Sequence, residues 1–125
     1  MNIPNHHQTV MPYLMLTGAA NFIDFAIKVF DAQLLNKRMH VNGTIMHAEI
    51  QIGGCTIMLS EATEQWKPQF ANLFIYVDDA DNRYRKAVSN GAKEVMELSN
   101  QDYGRTCGVS DPFGNTWWIT SINNQ

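Results

Sequence analysis

The sequence predicts an α+β fold: one domain over residues 1–125, built from two β-α-β-β-β modules spanning about residues 9–62 and 70–122. Three observations predict it. A strand followed by an amphipathic helix occurs early in the chain, and the same order recurs some sixty residues later, the mark of an internal duplication. Gly53-Gly54 is a two-residue turn between two alternating strands. Asp111-Pro112-Phe113-Gly114-Asn115 is a Pro/Gly turn running directly into Thr116-Trp117-Trp118-Ile119, which closes an antiparallel hairpin.

In the first module, Met11–Leu16 reads as a strand and Thr17-Gly18 as a break. Residues 19–30 read as a helix, because Phe22, Phe25, Ala26, Val29 and Phe30 fall at i, i+3, i+4, i+7 and i+8 and form one apolar stripe. The Gly-Gly turn sets the register of its hairpin. Ile52 then faces Cys55, Ile50 faces Ile57 and Ala48 faces Leu59, and these side chains with Met46 make an apolar face that covers the helices. On the other face Gln51 pairs with Thr56, Glu49 with Met58 and His47 with Ser60, a polar set that either lines a cleft or meets solvent. In the second module, Leu73–Val77 is the strand and Asp78-Asp79 supply the N-cap. Ala80, Tyr84, Ala87 and Val88 form the helical stripe, and Gly91 is the stop.

Composition narrows the function. A chain of 125 residues that is 45% hydrophobic buries about two-thirds of its extended-chain surface and needs no staples. Nine Lys+Arg stand against 12 Asp+Glu, a net charge of −3 without a cationic run, so neither nucleic acid nor an anionic membrane is an expected partner. No apolar run approaches the ~18 residues of a bilayer span. Cys55 and Cys107 are too few for a disulfide framework, and the polar Asn2–Thr9 is unlike a leader, so a reducing cytoplasm is expected. His6-His7 is expected to be a solvated arm.

Several segments carry a resemblance. The Asp111–Asn115 turn resembles the C-terminal signature of the vicinal-oxygen-chelate superfamily, which includes glyoxalases, extradiol dioxygenases, fosfomycin-modifying enzymes and bleomycin-binding resistance proteins. Pro12-Tyr13-Leu14 with Ile23-Asp24-Phe25 and Val29-Phe30 resembles its first strand and helix. Val77-Asp78-Asp79-Ala80 and Asn90-Gly91-Ala92 resemble the ends of its second helix. Met46-His47-Ala48-Glu49-Ile50, Ile52-Gly53-Gly54 and Tyr103-Gly104-Arg105 before Val109-Ser110-Asp111-Pro112 resemble the PhnB-like branch.

The resemblance implies paired modules whose mixed sheet curves around a cleft, commonly completed in a homodimer. In metal-dependent members it also implies four His, Gln or Glu ligands. The matching positions here are Met11, Met58, Asn72 and Trp118. Thioethers are soft, an indole N–H only donates and Asn72 offers one neutral carbonyl, so the set is poor for a hard or borderline divalent ion. No metal and no other cofactor is expected. The positions implied to face the cleft instead form a lining of Met11, Tyr13, Met58, Phe74, Tyr76 and Trp118, with Trp66 and Tyr103 on neighbouring loops. Such a lining suits a small, partly aromatic ligand.

His47 and Glu49, at i and i+2 on one strand, share the polar face and would contact such a ligand. They also seed two alternatives: a glyoxalase-type lyase or isomerase with a relocated metal site, and a metal-free enzyme in which Glu49 abstracts a proton. His40 lies in a segment whose direction the pattern leaves open. Arg105 either clamps an anion or pairs with Asp111 or Glu94, and Cys107, with no base beside it, reads as a buried inert thiol. The leading expectation is therefore a metal-free, homodimeric, cytoplasmic small-molecule-binding protein.

Overall fold

The computed structural model describes residues 1–122. The chain divides into two compact units, Met1–Ile27 with Asp31–Phe70, and Lys28–Phe30 with the residues from Ala71 onward. The first carries strands β1 (Tyr13–Leu16), β2 (Gln33–Met39), β3 (Ile45–Ile52) and β4 (Cys55–Glu61), with helix α1 (Ala19–Phe30) after β1, the last three residues of which count with the second unit. The second carries β5 (Asn72–Tyr76), α2 (Ala80–Ser89), β6 (Lys93–Gln101), β7 (Gly104–Ser110) and β8 (Thr116–Ser121). Each unit has its own four-stranded mixed sheet, ordered β1-β4-β3-β2 and β5-β8-β7-β6. The first strand of each runs parallel to the last and the remaining pairs are antiparallel. The expected duplication is thus repeated down to strand order. Among the described residues no helix is long and apolar enough to cross a membrane.

Helix α1 occupies the span its periodicity predicts, and Phe22, Phe25, Ala26, Val29 and Phe30 are all buried. Its start has no capping side chain of its own, since the N-cap is Gly18 in the left-handed region. The carboxylate of Glu61, at the end of β4, accepts from the N–H groups of Gly18 and Ala19 at 3.0 Å each. It thereby satisfies two of the donors that a helix start leaves open.

The Gly53-Gly54 hairpin has the expected register for Ala48–Leu59, Glu49–Met58, Ile50–Ile57, Gln51–Thr56 and Ile52–Cys55. Two expectations nearby are corrected. Met46 is 43% exposed, whereas Ile45 is buried, because the β2–β3 ladder passes from Arg38↔His47 to Met39↔Ile45 and skips Met46. One bulged residue reverses the alternation beyond it. The first strand begins at Tyr13 rather than Met11; the carbonyl of Pro12 is the first of that segment to join β4, accepting from Met58 N–H at 2.9 Å.

In the second unit Asp79 caps α2 by accepting from Asn82 N–H at 3.1 Å, and Gly91, with φ of 100°, follows its end. Ala80 and Ala87 are buried as expected, but Val88 is exposed. Strand β5 starts one residue earlier than the pattern suggested. The Asp111–Asn115 turn joins β7 to β8 with Ser110 opposite Thr116. Trp117 then points into the core against Phe30, with ring centroids 4.5 Å apart, and Trp118 lies on the opposite face.

Candidate functional site

The polar face of the first sheet carries a hydrogen-bonded chain. Glu49 sits on β3, opposite Met58, and its side chain is buried. One carboxylate oxygen lies 2.8 Å from His7 Nε2 and the other 2.9 Å from His47 Nε2, while His47 Nδ1 lies 3.1 Å from the Tyr13 hydroxyl. His7 comes from the N-terminal arm, whose residues 1–6 are exposed as expected but whose His7 and Gln8 side chains are docked on the sheet. The Gln8 carboxamide donates to Thr56 O at 2.8 Å and accepts from Thr56 N–H at 3.2 Å, and Thr56 Oγ1 donates to His6 O. The carboxamide thus acts as a short extra strand on the β4 ladder, next to where β1 begins. That covering is why Glu49 and Thr56 are buried although the pattern allowed a solvated face.

Burial pushes the Glu49 carboxyl up, but hydrogen bonds from His47 and His7 outweigh it and hold the group below its ordinary value of 4.5. A carboxyl depressed by folding contributes stability that is complete above its unfolded value and is lost as pH falls through the folded one. Wild type should therefore lose stability relative to Glu49→Gln between about pH 5 and pH 3. Urea midpoints of the two proteins across that range check it; a gap constant from pH 7 to pH 3 would show that the carboxylate is not held by these partners.

Away from the Gly53-Gly54 turn the same face opens into a cavity of about 370 Å³ lined by Tyr13, Met15, His40, Met46, Ser60, Glu61, Thr63 and Trp66. Tyr13 and Met15 are i and i+2 on β1, with Ser60 opposite Met15. The bulge delivers Met46, and the β2–β3 connection delivers His40. Ala62 N–H donates to Leu16 O and so extends the β1–β4 ladder by one bond, after which the chain folds back along the outer edge of β1, where Gln69 N–H donates to Met15 O. Within that loop Thr63 N–H donates to Trp66 O, and Trp66 N–H donates to Thr63 Oγ1 at 2.9 Å, a closed turn that sets Trp66 beside the cavity.

Of the expected binding residues, Tyr13 and Trp66 line this cavity, His47 and Glu49 adjoin it through the Tyr13 hydroxyl, and Met11 and Met58 are not in its wall. Met11 instead accepts from Gln8 N–H through Sδ at 3.4 Å. Met15, His40, Met46, Ser60, Glu61 and Thr63 were missed as lining. Alternation from Tyr13 points to Met15, and the hairpin register points to Ser60; nothing local announces the bulge at Met46.

Asn72, Phe74, Tyr76, Tyr103 and Trp118 belong to the second unit. Asn72 Oδ1 accepts from Trp118 Nε1 at 3.2 Å, so these two side chains serve each other. Phe74 packs edge-on to Tyr76, with centroids 5.2 Å apart, and 6.2 Å from Tyr103. All three rings are exposed. Trp118 lies across Gly108, which faces it on β7.

The donors at the four positions where the resemblance implies metal ligands do not fit a divalent ion. Asn72 is engaged with an indole N–H and Met11 with an amide, and thioether sulfur is the wrong donor for Mn, Ni or Zn. His7, His47 and Glu49 meet, but each carboxylate oxygen is taken by one imidazole. Among the described residues no three His, Cys, Asp or Glu side chains are arranged to hold a metal. The expected partners of Arg105 are corrected. It forks onto Asp81, Nε to Oδ1 at 2.9 Å and Nη2 to Oδ2 at 3.1 Å, and that hydrogen bond holds the Asp81 carboxyl below its usual range. Asp111 is filled by its own turn, and Glu94 accepts from the Tyr84 hydroxyl at 2.8 Å. Cys107 is buried as expected, and burial pushes its thiol up to about 11, so little thiolate is present near neutral pH.

Comparison with known proteins agrees with this architecture. The family described as the glyoxalase/bleomycin resistance protein/dioxygenase superfamily matches residues 13–119. Uncharacterized proteins of Mycobacterium bovis and Mycobacterium tuberculosis are each 32% identical over 90% of this chain, covering 82% and 74% of their own lengths. Among solved structures, TioX from Micromonospora sp. ML1 is 25% identical with a TM-score of 0.75, covering 93% of this chain and 100% of its own. TnmS3, an antibiotic binding protein from Streptomyces sp. CB03234, is 18% identical with a TM-score of 0.71, covering 94% of this chain and 100% of its own. From repeated modules to matched relatives, the chain belongs to the glyoxalase/bleomycin resistance protein/dioxygenase superfamily.

Proposed function

We propose that this protein binds a small, partly aromatic organic molecule without a metal, in the cavity of its first unit. The observation that carries the reading is the wall of that cavity: two large rings, Tyr13 and Trp66, and two thioethers, Met15 and Met46, around about 370 Å³. Flat rings stack, thioethers adapt to shape, and the volume lies within the range of ligand sites. The state of Glu49 weighs against a proton-abstracting role, since both of its oxygens are engaged and its basicity is lowered. TnmS3 shares the fold at an identity that speaks for architecture alone. Within the superfamily we place the chain in the PhnB-like branch on residues 46–54 and 103–112; a phylogeny grouping those segments elsewhere would overturn that placement.

A fragment screen by saturation-transfer NMR tests the binding reading. Aromatic fragments should bind wild type, and Trp66→Ala should weaken each by about tenfold, because one stacked wall contributes ~1–1.5 kcal/mol. Trp66 is 59% exposed, so the variant should melt near the wild-type temperature. Fragments that bind both proteins equally would sink the assignment.

A further inference from the structure

Resting on that reading, we infer the charge class of the ligand: it is an uncharged planar molecule that meets the imidazole of His40 with one polar edge group. The inference comes from how the polar groups of the cavity wall are engaged: each hydroxyl already has a partner and keeps spare hydrogen-bonding capacity but no charge. The Tyr13 hydroxyl lies 3.1 Å from His47 Nδ1. Ser60 Oγ donates to Met15 Sδ at 3.0 Å, and Thr63 Oγ1 accepts from Trp66 N–H at 2.9 Å. Glu61 is the one carboxylate in the wall, and each of its oxygens holds an N–H at the start of α1. Those donors, together with the positive end of the helix dipole, offset its charge.

A ligand cation entering here would give up its water to meet a carboxylate already committed to the helix. A ligand anion would meet that carboxylate with no Lys or Arg in the wall to oppose it. Burying a charge without an available partner costs far more than burying an amide that finds one hydrogen bond. His40 supplies that bond. Among the described residues its ring makes no hydrogen bond, while its backbone is fixed by His40 N–H to Thr44 O and Gly43 N–H to His40 O. The remaining wall is aromatic ring and thioether, which favours a flat π-system.

Three probes sharing one ring system separate the charge classes: 2-naphthamide, 2-naphthoate and 2-naphthylmethylammonium. The chain has three tryptophans, so the indole N–H region of a 15N-labelled sample holds three cross-peaks, and Trp66→Phe assigns the one at the cavity. The Trp66 peak should titrate with 2-naphthamide at an affinity about tenfold above that for either charged probe, the cost of desolvating an unpartnered charge. His40→Ala should weaken the amide severalfold and leave the two charged probes unchanged. A charged probe that binds as tightly as the amide, or amide binding indifferent to His40→Ala, overturns the charge-class inference while the binding reading stands. If no probe moves the Trp66 peak up to the solubility limit, the cavity is not an aromatic-ligand site and both fall.

Discussion

Asp111→Ala should lose most of the folding stability of the protein, by about 4 kcal/mol or more, against the ~5–15 kcal/mol that holds a typical domain. The reason is the number of donors that converge on this side chain. Asp111 is buried; Oδ1 accepts from Phe113 N–H at 2.8 Å and Asn115 N–H at 2.9 Å, and Oδ2 accepts from Asn115 Nδ2 at 3.0 Å and Trp117 Nε1 at 2.8 Å. Asn115 and Trp117 are themselves buried, so water cannot replace the carboxylate. Each stranded buried donor costs about 1–3 kcal/mol. Asp111→Asn should recover less than half of the loss, since one oxygen becomes an NH₂ that confronts donors. Urea unfolding of the three proteins checks the order; a change under about 1 kcal/mol in Asp111→Ala would mean that the turn holds without its carboxylate.

Gly104→Ala should rank second, at about 3 kcal/mol, and Gly108→Ala should cost less, about 1–2 kcal/mol. Both glycines lie on β7, but they are constrained differently. Gly104 has φ of 142°, a conformation essentially reserved for glycine, and a Cβ there would strike the backbone oxygen of Ser121 on the paired strand. Neither the strain nor the clash can relax without moving β8. At Gly108 the added carbon would come within 2.5 Å and 2.8 Å of the Trp118 ring, which is a side chain and can slide. Thermal melts should place Gly108→Ala above Gly104→Ala. NMR should also show the Trp118 indole leaving Asn72 in the Gly108 variant. Equal melting temperatures would mean that β8 yields as easily as the ring does.

Taken together, these positions separate what carries the fold from what carries the site. Asp111, Gly104 and Gly108 sit in the second unit and hold a hairpin. Tyr13, Met46 and Trp66 sit in the first and wall a cavity, with the docked arm beside them covering the end of the same face near the Gly53-Gly54 turn.

The sequence by itself determined the features that depend on neighbours in the chain. The repeated strand-helix order, the α1 stripe, the Asp79 cap, the Gly53-Gly54 register and the Asp111 turn were all legible there. Periods of 2 and 3.6 and the chemistry of turns and caps act within a few residues, so a local pattern is enough to read them. The tertiary structure decided which distant groups meet. His7 reaches Glu49 across 42 positions, Glu61 caps Gly18 across 43, and Gln8 pairs with Thr56 across 48. Arg105 finds Asp81 rather than the nearer Asp111 because the turn and Trp117 have already filled that carboxylate. At Met46 one unpaired residue moved a thioether from the expected core face to the cavity wall. Periodicity states which face a residue takes while the ladder is regular; it carries no information on where the ladder slips or on which partner a long side chain finds in the folded chain.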